Sequence, residues 1–208
     1  MPQTTAGKVA LASFTWEIVD NKLRLLHYTG TEKNVVIPSK YDGKSVEIIA
    51  DMCFYGTHAE TVTVPDTLTT IENGAFGSSS VRVLNISKSV HAIGTFLFEL
   101  SSSIEEVNVH KDNPFLCSVD GVLFDKNKRK ILYYPHSKAG KAYAIPNSVM
   151  VIETGTFSHC KLEVITVPAS VVYMSRSVLE TFGQFNLRFS SQIQANRHSA
   201  LKCVDKPL

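Results

Sequence analysis

The residues with chemical potential in this chain are few and scattered. Seven histidines stand at positions 27, 58, 91, 110, 136, 159 and 198. None belongs to an HExxH motif or an i, i+4 pair, the spacing that turns two imidazoles toward one metal ion. Four cysteines, Cys53, Cys117, Cys160 and Cys203, include no CxxC, so zinc-ribbon and dithiol chemistry lack their ligand spacing. Cys53 and Cys160 stand close to phenylalanines and read as small core residues rather than nucleophiles. Asp66, Glu72, Glu99, Glu105, Glu106 and Glu153 are too dispersed to form an acid–base pair. There is no G-x-S-x-G elbow, P-loop or G-x-G-x-x-G. The chain therefore reads as a protein that is not an enzyme, with no catalytic residues, no cofactor and no metal. Two features suit binding. Lys126, Lys128, Arg129 and Lys130 place four positive charges in five residues. Such a cluster attracts acidic or sulfated groups, or simply keeps a hairpin tip solvated. Asn85-Ile86-Ser87 matches a glycosylation sequon, although it falls in an expected strand.

Composition narrows the class further. The chain has 208 residues, 44% hydrophobic and 19% charged, which excludes a disordered chain. Its charge sum is 21 − 19 = +2, so no strong field draws nucleic acid or an anionic membrane. No run of about 18 apolar residues exists to span a bilayer. The apolar run from Val9 to Trp16 is short for an export signal and lacks a small-residue cleavage site, so it reads as a strand.

The elements that must carry any site are set by a repeat. Apolar anchors recur at Ile37, Val64, Ile86, Val109, Ile145, Val167 and Phe189, at intervals of 27, 22, 23, 36, 22 and 22 residues. Pro follows four anchors, at 38, 65, 146 and 168. Another apolar residue precedes each anchor by two: Val35, Val62, Leu84, Val107, Tyr143, Ile165 and Leu187. Four residues on come Leu68, Val90, Val149 and Val171; seven on come Ile71, Ile93, Ile152 and Met174. Several rungs then close on Ala75-Phe76, Leu97-Phe98 or Thr156-Phe157. No single 22-residue coil can bury its apolar side alone, so coils must stack. The expected fold is a right-handed, mainly β solenoid with a parallel sheet on one face and short helical or 3₁₀ turns. Six steps at the strand spacing give a column about 29 Å long.

The phrase Ile86-Ser-Lys-Ser-Val90-His-Ala-Ile93-Gly94-Thr-Phe-Leu-Phe98, with Ile145-Pro-Asn-Ser-Val149-Met-Val-Ile152 leading to Phe157, resembles the BspA-type leucine-rich repeat. Tyr28-Thr-Gly30 and Asp120-Gly-Val-Leu-Phe124 with Tyr133-Tyr-Pro135 are similar to further units of that family. The resemblance covers about residues 14 to 190. It implies an adhesive protein of cell surfaces, a surface antigen that attaches to matrix proteins or other cells. The last rung lacks the Ala-Phe turn, and Gly is missing after Ile49, Ile71, Ile152 and Met174.

Three regions are expected: a capping hairpin over 1–30, the repeat array over 31–190 with a hairpin insertion near 115–136, and a closing tail over 191–208. Val119–Asp125 and Lys130–Pro135 are expected to pair across 126–129. Outward side chains beside each strand centre form the candidate binding face: Asn34, Thr61, Thr63, Val83, Asn85, Glu106, Asn108, Val164, Thr166 and Arg188. The second candidate is the basic hairpin at Lys126, Lys128, Arg129 and Lys130. The expected function is binding another macromolecule, a protein or else a glycan or matrix protein, with no nucleic acid and no membrane insertion. The resemblance implies the cell surface; without a clear export signal, an intracellular interaction scaffold in the cytoplasm remains the alternative.

Overall fold

The computed structural model describes residues 13–174 and the strand Asn186–Phe189, within which only the Arg188 side chain is placed. The anchors form the first stack. Strands Asn34–Val36, Thr61–Thr63, Val83–Ile86 and Glu106–Val109 make one parallel sheet, with Val35, Val62, Leu84 and Val107 in register. Ala142–Ala144, Val164–Val167 and Asn186–Phe189 make a second, with Tyr143, Ile165 and Leu187 aligned. The strand-centre residues Val35, Val62, Leu84, Val107 and Ile165 are buried, as the alternation of side chains requires. Pro65 follows its strand without breaking the ladder, and its carbonyl accepts the Ser87 hydroxyl at 2.8 Å.

A second parallel stack runs along another side of the coil. Lys44–Ile49, Thr70–Ile71 and Ala92–Ile93 align Ile49, Ile71 and Ile93; Lys130–Tyr133, Val151–Ile152 and Tyr173–Met174 align Ile131, Ile152 and Met174. The sequence marks these positions as apolar but gives runs of only two residues, too short to declare a strand. The hairpin Phe14–Val19 with Lys22–Tyr28 adds to this stack through Leu25 and Ile49.

The coil then closes on phenylalanine. Rings of Tyr28, Phe54, Phe76 and Phe98 stack with centroids 5.2, 5.0 and 5.3 Å apart. The turns holding them are not the short helical turns expected. No described residue is α-helical, and the 3₁₀ state is confined to Ser13. Met52, Gly74 and Phe96 hold positive φ (55°, 56° and 52°), as do Gly56, Ser78 and Leu100 (68°, 48° and 57°). A left-handed residue breaks a right-handed helical run. The turn amides alternate between bonds across rungs, Phe54 N to Ala75 O at 2.7 Å and Phe76 N to Leu97 O at 3.0 Å, and single local turn bonds, Tyr55 N to Met52 O at 2.9 Å and Gly77 N to Gly74 O at 2.7 Å.

The 36-residue interval is where the regularity stops. Leu116–Val119 pairs with Val122–Asp125, which pairs in turn with Lys130–Tyr133. The expected pairing across 126–129 therefore forms, but Leu116–Val119 supplies a third strand. These strands do not lie over the surface. Val122, Leu123 and Phe124 are all buried; Leu123 packs into the first half's core, while Val122 and Phe124 pack into the second. Three consecutive apolar residues suit a strand buried on both faces. The insertion is thus a partition separating two cores. Gly121 (φ 76°) brings its turn against the last strand of the first sheet, with Val107 N donating to Gly121 O at 2.9 Å. A Cβ there would lie 2.7 Å from that of Glu106.

Asn113 ties this departure to the preceding rung. It is fully buried; its Nδ2 donates to Ser87 O and Val90 O at 2.9 Å each, and its Oδ1 accepts from Phe115 N and Leu116 N at 2.8 Å each. Alanine there strands four backbone groups away from water. Asn113→Ala should lower stability by about 2–5 kcal/mol in denaturant unfolding. A loss below about 1 kcal/mol would mean that the partition is held by packing alone.

Candidate functional site: the outer sheet face

Strand register sorts the outward residues into two rows. Asn34, Thr61, Val83 and Glu106 align in one; Val36, Thr63, Asn85 and Asn108 align in the other. The second row is a connected hydrogen-bond ladder. Asn85 Nδ2 donates to Thr63 Oγ1 at 3.1 Å, and Asn108 Nδ2 donates to Asn85 Oδ1 at 3.3 Å. The Asn108 amide also donates to Glu106 Oε1 at 3.1 Å. Stacking one rung on the next is what makes amide–amide contact possible, because equivalent residues on neighbouring strands face each other. A shallow depression of about 300 Å³ runs along this row, edged by Asp66, Ser87 and His110.

A column of alternating charge borders the face. Lys33, Glu60, Arg82 and Glu105 succeed each other on four rungs. Lys33 Nζ meets Glu60 at 2.6 Å, and the Arg82 guanidinium grips Glu105 with two bonds of 2.9 and 3.0 Å. Lys33 beside it is the main reason that the Glu60 carboxyl titrates below its ordinary range. Lys141 and Glu163 repeat the motif at 2.9 Å in the second half. Exposed pairs add little stability; their effect is to remove like-charge repulsion from a stack that would otherwise align it. The sequence reading did not find this column. Its signal was available as opposite charges at the position just before each strand.

The structure distributes the expected face residues over two patches. Asn34, Thr61, Thr63, Val83, Asn85, Glu106 and Asn108 share the first sheet; Val164, Thr166 and Arg188 belong to the second, in register with Ala142 and Ala144. The partition's Gly121 turn closes the edge of the first sheet, so the two are not continuous. Asn85, the sequon residue, spends its amide inside the ladder, and Ser87 of the same sequon is buried.

The basic cluster falls on the turn between Val122–Asp125 and Lys130–Tyr133, and all four side chains are exposed. Part of its charge is engaged. Lys126 Nζ donates to the carbonyls of Asn113 and Lys111, and Lys130 pairs with Glu153 at 3.5 Å. Cys53 and Cys160 are buried, and burial pushes the Cys160 thiol up to about 11 and that of Cys53 higher still. Neither is a thiolate at neutral pH. Among the described residues, no group of three or more His, Cys, Asp and Glu side chains converges on a possible metal position.

The chain belongs to the BspA-type leucine-rich repeat family, whose model matches residues 27–135 and 132–205 in six copies. Among solved structures it is similar to a leucine-rich repeat protein of Eubacterium ventriosum (21% identity, TM-score 0.49), covering 75% of this chain and 57% of that one. This chain therefore spans little more than half the length of that protein. It is also similar to the pneumococcal vaccine antigen PcpA (16% identity, TM-score 0.44, 90% and 71% covered). A leucine-rich cell surface protein of Faecalibacterium prausnitzii is a further similar structure (15% identity, TM-score 0.42, 99% and 100% covered). No curated protein matches the chain. No described helix is long and apolar enough to cross a membrane.

The His136 imidazole is displaced from its ordinary pKa by its surroundings. It is buried beside Tyr133 and His159, and its Nδ1 bonds to the Ser101 carbonyl. Burial lowers its pKa to about 4, against the smaller upward pull of Ser101 O; His159 adds to the lowering. An unfolded histidine takes its proton near pH 6.5, so the unfolded chain binds more protons between pH 6.5 and 4. The neutral-ring contribution is thus full above pH 6.5 and is lost as the pH falls toward 4. Stability at pH 5 should lie about 2 kcal/mol below that at pH 7, and His136→Gln should flatten this dependence in denaturation midpoints.

Proposed function

We propose that this chain is a non-enzymatic binding module that recognises another protein through its outer sheet face, as an adhesin or surface antigen displayed at a cell surface. One observation carries the reading: the Thr63–Asn85–Asn108 ladder, a row of linked amide and hydroxyl groups on an open sheet. Short polar side chains let a partner approach the sheet closely; beyond the ladder bonds Asn85 keeps one N–H and one lone pair, and Asn108 keeps its Oδ1 as an acceptor. The family supports the location. The basic turn at 126–130 adds attraction for an acidic or sulfated partner such as a matrix protein or glycan.

A second reading, an intracellular interaction scaffold, is favoured by the free thiols of Cys53, Cys117 and Cys160, which suit a reducing compartment. Fractionation of the native cell separates the two. Recovery in the cytosol alone would remove the surface reading while leaving the binding face intact.

The face itself is tested by capture of partner protein from the native cell surface. Asn85→Arg with Asn108→Arg places two long charged side chains over the ladder and should weaken binding at least tenfold with unchanged circular dichroism. Charge reversal at Lys128 and Arg129 should weaken it less, with a loss that fades as salt rises. Equal binding by the Asn85/Asn108 variant and the unaltered chain would remove the face from the function.

A further inference from the structure

The column ends in two strand edges on its N-terminal side, and they differ in protection. Asn34–Val36 ends the first stack. It is three residues long and Lys33 stands just before it, and both features discourage pairing with another chain. Phe14–Val19 ends the second stack. It is six residues long, contains neither Pro nor Lys, and has no further strand beside it among the described residues. Trp16, Ile18 and Val19 are all exposed on it, Ile18 by 51%. An open, apolar edge of this length is a template for a second chain.

Local geometry fixes which groups the edge offers. Asp20 and Asn21 hold φ of 50° and 61° and join Val19 to Lys22, as in a two-residue type I′ hairpin. The pair that closes such a turn, Val19 with Lys22, is hydrogen-bonded, and bonded pairs alternate along an antiparallel ladder. The Glu17 backbone therefore bonds to that of Arg24, whereas Ile18 and Trp16 turn their N–H and C=O groups outward. Two bonds fix the same parity. Leu25, opposite Trp16, gives its carbonyl to Ala50 N at 2.8 Å, and Tyr28, opposite Phe14, gives its N–H to Cys53 O at 2.7 Å. The register shift near Thr15 leaves the extra residue, Leu26, on the neighbouring strand. Phe14, Trp16 and Ile18 thus share one bonding direction and one face, that of the buried Leu23 and Leu25. Phe14 is covered by Tyr28 and Phe54. Trp16 lies against the half-exposed Tyr41 with ring centroids 5.6 Å apart, so apolar surface runs out to the edge.

We propose that Phe14–Val19 pairs antiparallel with the same strand of a second copy of this chain, across a two-fold axis at Trp16. The edge is complementary to itself in this register. All three outward-bonding residues of each chain find partners. Trp16 meets the partner's Trp16, Phe14 meets the partner's Ile18, and Thr15 meets the partner's Glu17. An axis at Glu17 would instead set two carboxylates directly opposite each other and leave Phe14 unpaired. An axis at Thr15 would leave Ile18 unpaired. Glu17, the only charge on the strand, is answered by Arg24 of its own chain at 2.7 Å, so pairing confines no unbalanced charge. Closed two-fold pairing is also the commonest form of self-association. The Thr63–Asn85–Asn108 row lies on the other stack, so the dimer stands apart from the binding face proposed above.

The test uses the full chain at rising concentration. Sedimentation should show a monomer–dimer equilibrium with a Kd of about 1–100 µM, the weak end of specific association. Residue-resolved hydrogen exchange should slow at Phe14, Trp16 and Ile18 as the dimer forms. It should stay unchanged at Glu17 and Val19, whose N–H groups are already bonded within the hairpin. Ile18→Lys puts a charge on the edge at a site outside the core and should weaken the dimer at least tenfold, with the melting temperature of the dilute protein unchanged. Thr15→Arg sets a cation opposite the partner's Glu17 and should tighten the dimer about two- to tenfold. A chain that stays monomeric up to about 1 mM would overturn the proposal. So would full protection of Phe14, Trp16 and Ile18 in the dilute monomer, which would mean that the chain covers this edge itself. Undiminished association of a folded Ile18→Lys protein, or no gain with Thr15→Arg, would overturn it as well.

Discussion

Everything in this molecule follows from one spacing. Neighbouring parallel strands lie about 4.8 Å apart, and once rungs of 22 residues adopt that interval, each position faces its own equivalent. Side chains are therefore selected by how they tolerate being stacked on their like. Branched aliphatics do so at Val35, Val62, Leu84 and Val107. Phenylalanines do so with rings 5.0 and 5.3 Å apart, within the range where aromatic pairs attract. Amides do so by donating to the next rung. Charges cannot, which is why Lys33, Glu60, Arg82 and Glu105 alternate in sign along their column.

The same spacing explains why the interruption is costly and how the chain handles it. A coil that leaves the stack exposes the core of the rung above. Here the departing segment turns inward and fills both exposed ends, with Leu123 facing one core and Phe124 the other. Asn113 replaces the lost ladder bonds with four of its own. The residual mismatch gathers on one side, where Phe96 reaches across to Gly155 over the gap that the missing strand leaves.

Legibility in the sequence tracked repetition. The anchor strands, their register and the stacked Phe turns could be read because each recurs at a fixed offset, and recurrence at seven offsets is specific. The second stack was half-visible: Ile71, Ile93 and Ile152 carried the offset, but two-residue strands lack an alternation of their own. The turns were misjudged because helix and left-handed turn share the same apolar spacing over five residues, and only φ at Met52, Gly74 and Phe96 separates them. Tyr133 and His136 were visible as residues, but their burial was not. They occur once, and their character comes from burial by segments that are distant in sequence. The face residues alternate with the buried strand centres, yet their linkage into a ladder and their division between two sheets depended on rung stacking and on the partition.

The spacing also constrains what can dock. Groups along the Thr63–Asn85–Asn108 row repeat once per rung, about 4.8 Å. An extended peptide repeats its same-side groups every two residues, about 6.6–6.8 Å. A peptide laid along the column would drift out of step within two rungs. It could instead pair with a sheet edge; the edge at Glu106–Val109 is occupied by the Gly121 turn, which accepts the Val107 amide, whereas the edge at Asn34–Val36 has no further strand beside it among the described residues. A folded surface has no such period to keep, since its side chains can come from unrelated segments. On the proposed reading of this row as a binding face, its spacing favours a partner that presents a preformed surface over a peptide laid along the column.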